Sequence, residues 1–323
     1  MSSIQTTDNI YDVKPLNGWS LFLDLAQGNL TPGEYWLNKT NRQKFVIRSL
    51  CMPFNSYRYL SELAKHPLFD QIIKAQPGLP CRLQRPWMML GLDIGQKRSH
   101  IYDHYVQFCH ALPRHLLDGY FSDRGALLAE FIGKGQKKFS VRLCAEDFLS
   151  KEGEATLQFC DEKNISLALL TFTLITIDNK RTLFIGGLQG AKSLTPHENI
   201  QAATKYCHGL FPKRVLTEAA INLARQLSAE RIIAVSNSNH IYESWRYRAK
   251  KKDKLLADYD DFWQSLGAER DAKGNFILPV QMPRKAIENI VSKKRAEYRR
   301  RYELLDQMSE QITQACQQPG LTH

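Results

Sequence analysis

The stretch Leu167–Val235 constrains the fold more than any other. Two runs rich in β-branched and aromatic residues, Leu167–Ile177 and Arg181–Gly187, are separated by Asp178-Asn179-Lys180, the polar punctuation of a hairpin. A helix then begins at Pro212, a residue suited to a first helical turn. It carries Val215, Leu216, Ala219, Ala220, Leu223, Ala224 and Leu227 on one face. The short apolar run Arg231–Val235 follows. Strand, helix and strand at this spacing make a βαβ crossover, which sets Leu183–Gly187 and Arg231–Val235 parallel in one sheet.

The flanks complete an α+β reading. Residues 1–40 are polar, with Trp19, Leu21, Phe22 and Leu25 spaced for a short amphipathic helix. Arg42–Lys65 and Lys97–Leu117 have helical periodicity, broken between them by Gln76–Pro80. Leu127–Phe131, Phe139–Cys144 and Ala155–Phe159 add strands, so the sheet is mixed but mostly antiparallel. Pro196–Cys207 and Asp258–Leu266 are expected to be helical, Asn275–Val280 a last strand, and Arg284–Gln317 a long charged helix. The expected organisation is a mostly helical region over residues 1–120, a mixed α/β domain over 121–283 and a basic C-terminal helix over 284–323.

A formal charge of +11 points to an anionic partner: a phosphorylated ligand, RNA or an anionic lipid surface. The basic clusters Arg246–Lys254 and Arg284–Arg301, interleaved with Trp245, Tyr247, Tyr298 and Tyr302, would serve the last two, or simply solvate the surface. Seven cysteines without a CxxC pair argue against a disulfide framework and fit a reducing, cytoplasmic location, with any membrane contact peripheral at the inner membrane. His100 and His104 lack the glutamate of HExxH, so no metal site is expected. The longest apolar runs fall short of the roughly 20 residues that span a bilayer.

Three segments are expected to converge at one sheet edge. Leu183–Lys192 places Gly186, Gly187, Gln189 and Gly190 at a strand end, where backbone N–H groups can approach a ligand, or where a bulge and turn need them. Thr204–Arg214 brings Lys205 and Lys213 to the start of the long helix, whose free N–H groups favour an anion. Ser236–Tyr242 follows a strand end, the usual position of ligands in open α/β sheets. There His240 is a candidate general base or acid, and Asn237 and Asn239 would orient a carbonyl or amide, or else the Asn and Ser residues shape the turn and cap the next helix. Lys151–Glu154 offers a carboxylate base at a strand entrance, assigned to Glu154.

The stretches KEGEATLQF (Lys151–Phe159), FIGGLQG (Phe184–Gly190), ATKYCHGLFPK (Ala203–Lys213), AVSNSNHIY (Ala234–Tyr242), ADYDDFW (Ala257–Trp263) and SKKRAEYRRRYELLD (Ser292–Asp306) resemble the VirK/YbjX family of Gram-negative bacterial proteins. That resemblance implies a role in virulence, antimicrobial-peptide resistance or envelope biogenesis. A more distant one is to GNAT-type N-acyltransferases. Their antiparallel strands, long helix, parallel strand, helix and last strand match the order here, and Asn239 stands where a cofactor-binding asparagine is often found. Trp263 replaces the tyrosine that commonly acts as their general acid, and their phosphate-binding glycine pattern is absent. The GNAT-like order implies an acyl- or aminoacyltransferase using acyl-CoA, an acyl carrier or aminoacyl-tRNA, with the donor over Gly186–Gly190, His240 or Glu154 deprotonating the amine, and Tyr242 protonating the leaving group in place of the missing tyrosine. The competing reading is a non-catalytic protein that binds RNA or the inner membrane surface.

Overall fold

The computed structural model describes residues 17–190, 197–247 and 258–317. Ala191 and Lys192 of the glycine-rich segment and Arg248–Lys254 of the first basic cluster lie outside the described residues. The chain forms two compact units, 1–85 with 92–102, and 86–91 with 103–323. The helical region expected over residues 1–120 thus contributes to both.

The first unit is helical: α1 (Gly18–Gln27), α2 (Glu34–Leu37), α3 (Lys39–Leu50), α4 (Pro53–Lys65), α5 (Phe69–Ala75) and the first half of α6 (Ile94–Ala111). Asn17 caps α1 through Trp19 N–H and Ser20 N–H. The periodic run Arg42–Lys65 is two helices, because a proline at position 53 disfavours helical backbone at Met52 before it. Trp36, Phe45, Tyr59 and Phe69 form the core, with Trp36 Nε1 donating to Pro77 O at 2.7 Å.

The second unit is built on an eight-stranded sheet. Its strands are β1 (Ala126–Ile132), β2 (Lys138–Cys144), β3 (Ala155–Asp161), β4 (Ser166–Ile177), β5 (Lys180–Gly190), β6 (Arg231–Ala234), β7 (Glu269–Arg270) and β8 (Phe276–Leu278). The order is β1-β2-β3-β4-β5-β6-β8-β7. Among the described residues β5–β6 is the one parallel pair, with Leu183 opposite Ile232. The expected crossover is present, and its helix α9 (Pro212–Gln226) buries Val215, Leu216, Ala219, Ala220, Leu223 and Ala224. β4 and β5 join through a two-residue turn in which Asp178 (φ 51°) and Asn179 (φ 59°) are both left-handed, the geometry that follows the twist of a hairpin.

The remaining helices are α7 (Arg114–Tyr120), α8 (His197–Tyr206), α10 (Tyr259–Ser265) and α11 (Ser292–Gln317). Pro113 separates α7 from α6, splitting the run expected over Lys97–Leu117. α11 packs on β1 and α9. It begins at Ser292, not at Arg284, because the chain before it doubles back: Arg284 binds Asp306 at 3.0 Å and Tyr302 donates to Lys285 O.

Candidate active site

The glycines at the end of β5 accommodate a carboxylate loop. Opposite Thr171 and Phe172 the register slips by one residue, which makes Gly186 the extra residue of a β-bulge. A Cβ on Gly186 would overlap the carbonyl oxygen of Glu152, and one on Gly187 would overlap the Glu152 carboxylate. A Cβ on Gly153 would come within 2.8 Å of Phe172 O. The Lys151–Glu154 loop can therefore lie against β4 and β5 only because these positions lack side chains. The strip Trp87–Leu90 closes over the same place. Met88 N–H donates to Lys151 O at 2.7 Å, and Leu90 N–H donates to Asn239 O at 2.9 Å.

Glu152 is fully buried. The Gln189 amide, two residues beyond Gly187 on the same strand face, donates to both carboxylate oxygens, at 2.7 and 2.9 Å. His240 enters from beyond β6. Its Nδ1 accepts the Tyr242 backbone N–H at 3.3 Å, and its Nε2 stands 3.7 Å from Glu152 Oε1. A ring whose Nδ1 is an acceptor carries its proton on Nε2 when neutral, so His240 presents an N–H to the carboxylate. It is thus placed to orient Glu152 rather than to act as a base.

Two tyrosines complete the cluster. Parallel pairing ends where Val235 N–H donates to Ile185 O, and in the gap beyond it Leu188 N–H donates to the Tyr259 hydroxyl at 3.3 Å. The His240 ring stacks on Tyr259 (5.1 Å) and meets Tyr242 edge-on (4.9 Å). Burial, the Glu152 charge and a hydrogen bond to Glu152 push the Tyr242 hydroxyl far above its ordinary value of 10.0. Burial and then the Glu152 charge do the same to Tyr259. Both remain neutral donors at physiological pH.

This has an alkaline signature. In the unfolded chain both tyrosines ionise near 10.0, whereas the native state holds them protonated. Their stabilising contribution is complete below that pH and is lost as pH rises above it. The melting temperature is expected to fall steeply above about pH 10, and less steeply in Y242F. Equal slopes in the two proteins would count against a buried, protonated Tyr242.

The other sequence-derived candidates lie elsewhere. Glu154 is buried, but its Oε2 accepts the Tyr105 hydroxyl at 2.9 Å and its carbonyl accepts Tyr120 at 2.8 Å, which joins it to α6 and α7. Asn237 staples α10, accepting Tyr259 N–H and donating to Asp258, each at 2.9 Å. Asn239 holds the β7–β8 hairpin through Lys273 O (2.8 Å) and Asn275 Oδ1 (3.1 Å). Gly190 is exposed with open space about it. Lys205 is exposed on α8, and Lys213, its ammonium pushed down by burial, sits in the first turn of α9. Among the described residues neither lysine bonds to the cluster. Trp263 is buried and donates to Val235 O at 3.0 Å, so it supplies no acid.

Sequence reasoning chose Glu154 over Glu152 and passed over Tyr259. The signal for Glu152 was present: its loop has a glycine at its centre, and FIGG supplies the matching space. Burial pushes the thiols of Cys109, Cys144 and Cys207 up to about 12, and those of Cys81, Cys160 and Cys316 to about 11, so none of these is an activated nucleophile. Among the described residues no His, Cys, Asp or Glu group could hold a metal ion, and no helix is long and apolar enough to cross a membrane.

Residues 34–314 match the family described as "Protein of unknown function (DUF535)". The Escherichia coli K12 protein named "Uncharacterized protein YbjX" is 44% identical over 313 residues, covering 97% of this chain and 94% of its own. Two Haemophilus influenzae proteins match about half of the chain: one is 33% identical over 163 residues (53% of its length), the other 29% over 154 (48%). No solved structure matches significantly. With one relative aligned along almost its whole length and the family match spanning most of it, the chain belongs to the VirK/YbjX family.

Proposed function

We propose that this protein transfers an acyl or aminoacyl group to an amine, at the place where β5 and β6 part. The observation that carries the reading is the buried Glu152 carboxylate, held by Gln189, faced by His240 and Tyr242, at the carboxyl ends of two parallel strands. Ligand sites gather at such ends. Support also comes from the element order: antiparallel strands, α9, parallel β6, α10 and last strand β8 follow the GNAT-like sequence of elements.

In the proposed reaction the amine attacks the carbonyl carbon of a thioester or ester donor. Glu152 takes the amine proton as the C–N bond forms, and returns it to the sulfur or oxygen that departs as the C–S or C–O bond breaks. Protonation of Glu152 weakens its hold on the Tyr242 hydroxyl, which is then free to donate to the tetrahedral oxyanion. His240 and Gln189 keep the carboxylate in place. The acceptor class would be an amine connected with the cell envelope, the setting implied by the family's suggested roles in virulence and antimicrobial-peptide resistance. The work would be done in the cytoplasm, at or near the inner membrane.

A second reading, binding of RNA without chemistry, draws on α11. There Lys293, Lys294, Arg299 and Arg300 are exposed and have no ion-pair partner among the described residues, while Arg295 and Arg301 are tied to backbone carbonyls. Thermal melting separates the two. One donor among acyl-CoA, acyl carrier thioester and aminoacyl-tRNA is expected to raise the melting point by about 5 °C at a hundredfold excess over Kd. Stabilisation by deacylated RNA alone, with no donor effective, would favour the second reading.

A further inference from the structure

The N-terminal unit exposes apolar side chains on adjoining helices. Trp19, Phe22, Leu50, Pro53, Phe54 and Tyr57 line a groove of about 280 Å³ between α1, α3 and α4. The residues are not merely grazed by solvent: Phe54 is 84% exposed, Leu50 63% and Trp19 59%, and Ile47, one turn before Leu50 on α3, is 63% exposed. Isolated exposed apolar residues are ordinary on protein surfaces, whereas a contiguous group marks a contact surface.

The charge on α3 is of one sign. α3 carries Lys39, Arg42, Lys44 and Arg48 and no acid. Lys39 lies three helical turns before Leu50, and Lys44 lies one turn before Ile47, so both share the outward face with the apolar pair. Lys39 and Lys44 are exposed. Arg58, one turn after Phe54 on α4, is exposed too. Arg42 turns inward to the carbonyls of Trp36 and Leu37 and takes no part. An apolar face with lysine and arginine at its border and a tryptophan at one edge is the composition that lies in a membrane interface. A second copy of this chain would set these cations against their own kind across a two-fold axis.

We propose that this face of the N-terminal unit docks on a bilayer surface containing anionic lipid, with Trp19, Ile47, Leu50, Phe54 and Tyr57 entering the headgroup boundary and Lys39, Lys44 and Arg58 pairing with phosphates. The proposal is independent of the transferase reading. One apolar anchor alone gives only marginal membrane binding, so apolar and ionic contacts are both needed.

Flotation of the full chain tests it, with phosphatidylcholine vesicles and equimolar phosphatidylcholine–phosphatidylglycerol vesicles. The wild type is expected to float with the anionic vesicles alone and to detach as salt rises. The variant combining I47S, L50S and F54S, which alters exposed positions, is expected to bind about tenfold or more weakly while keeping its circular dichroism and melting point. The variant combining K39Q, K44Q and R58Q is expected to lose the preference for phosphatidylglycerol. Bromolipid quenching of tryptophan emission, present in the wild type and reduced in W19F, reports insertion at this face. The proposal is overturned if no vesicle binds. It is equally overturned if the serine variant floats as well as the wild type while loss of Arg299 and Arg300 abolishes flotation. Sedimentation showing a dimer that the serine substitutions dissociate, without vesicle binding, would assign the face to a second copy and also overturn it.

Discussion

On the transferase reading, E152Q is expected to lower turnover by about 10²- to 10⁴-fold, the usual contribution of a positioned general base, while the protein stays folded. The amide is nearly isosteric with the carboxylate, and the loop's seat on Gly186 and Gly187 is unchanged. The variant still meets Gln189 and His240 but can no longer take a proton. Y105F supplies the contrast. It removes the hydroxyl on Glu154 Oε2 and should cost about 1–3 kcal/mol of stability with turnover unaltered, because Glu154 belongs to the packing of α6 and α7. Steady-state rates with the donor found by thermal melting, together with urea unfolding, measure both. If E152Q and wild type turn over alike, Glu152 is not the base.

The second large effect concerns two adjacent glycines. G186A would drive a methyl group into the backbone carbonyl of Glu152, and backbone cannot swing aside. A loss of about 3 kcal/mol or more is expected. G187A would meet the Glu152 side chain instead, which can rotate away from Gln189. That substitution should cost about 1–3 kcal/mol, the penalty for parting a buried carboxylate from its donors, yet on the transferase reading abolish turnover, since the carboxylate leaves its place. Stability and activity therefore separate at neighbouring positions. Urea denaturation showing G186A as stable as wild type would mean that the loop is not seated there.

Much of the fold was legible because it rests on periodicity. The apolar face of α9, the proline that starts it and the polar pair between β4 and β5 each follow from local rules, and the structure has all three. The parallel pairing of β5 and β6 follows from the length of chain between them. The site was legible as three segments and obscure as residues. Glycines at a strand end suit a phosphate, a bulge or a neighbouring loop equally well. Choosing among these required knowing that Lys151–Glu154 folds onto them from far away in sequence. Asparagine suits both recognition and turns, and the hydrogen bonds of Asn237 and Asn239 run to α10 and the last hairpin. Tyr259 carried no local signal. It matters because β6 stops at Ala234 while β5 continues to Gly190, leaving the Leu188 N–H for its hydroxyl.

The strip at residues 86–91 bears on how the protein can be divided. It belongs to the second unit, yet the chain on either side, through Arg85 and again over Leu92–Tyr102, belongs to the first. Met89 bridges to His240, and its neighbours hold Lys151 and Asn239 by their carbonyls. No single cut therefore yields the sheet unit whole. A fragment starting at Asp103 discards the lining of the Glu152 cluster, and the shortest contiguous piece that keeps it starts at Pro86 and carries a stretch of the other unit along. For gene fusion, fragment expression or shuffling between relatives, the seam is three crossovers in the reading frame, after Arg85, Gly91 and Tyr102, and a chimaera cut at the last alone separates Glu152 from the backbone that fixes it.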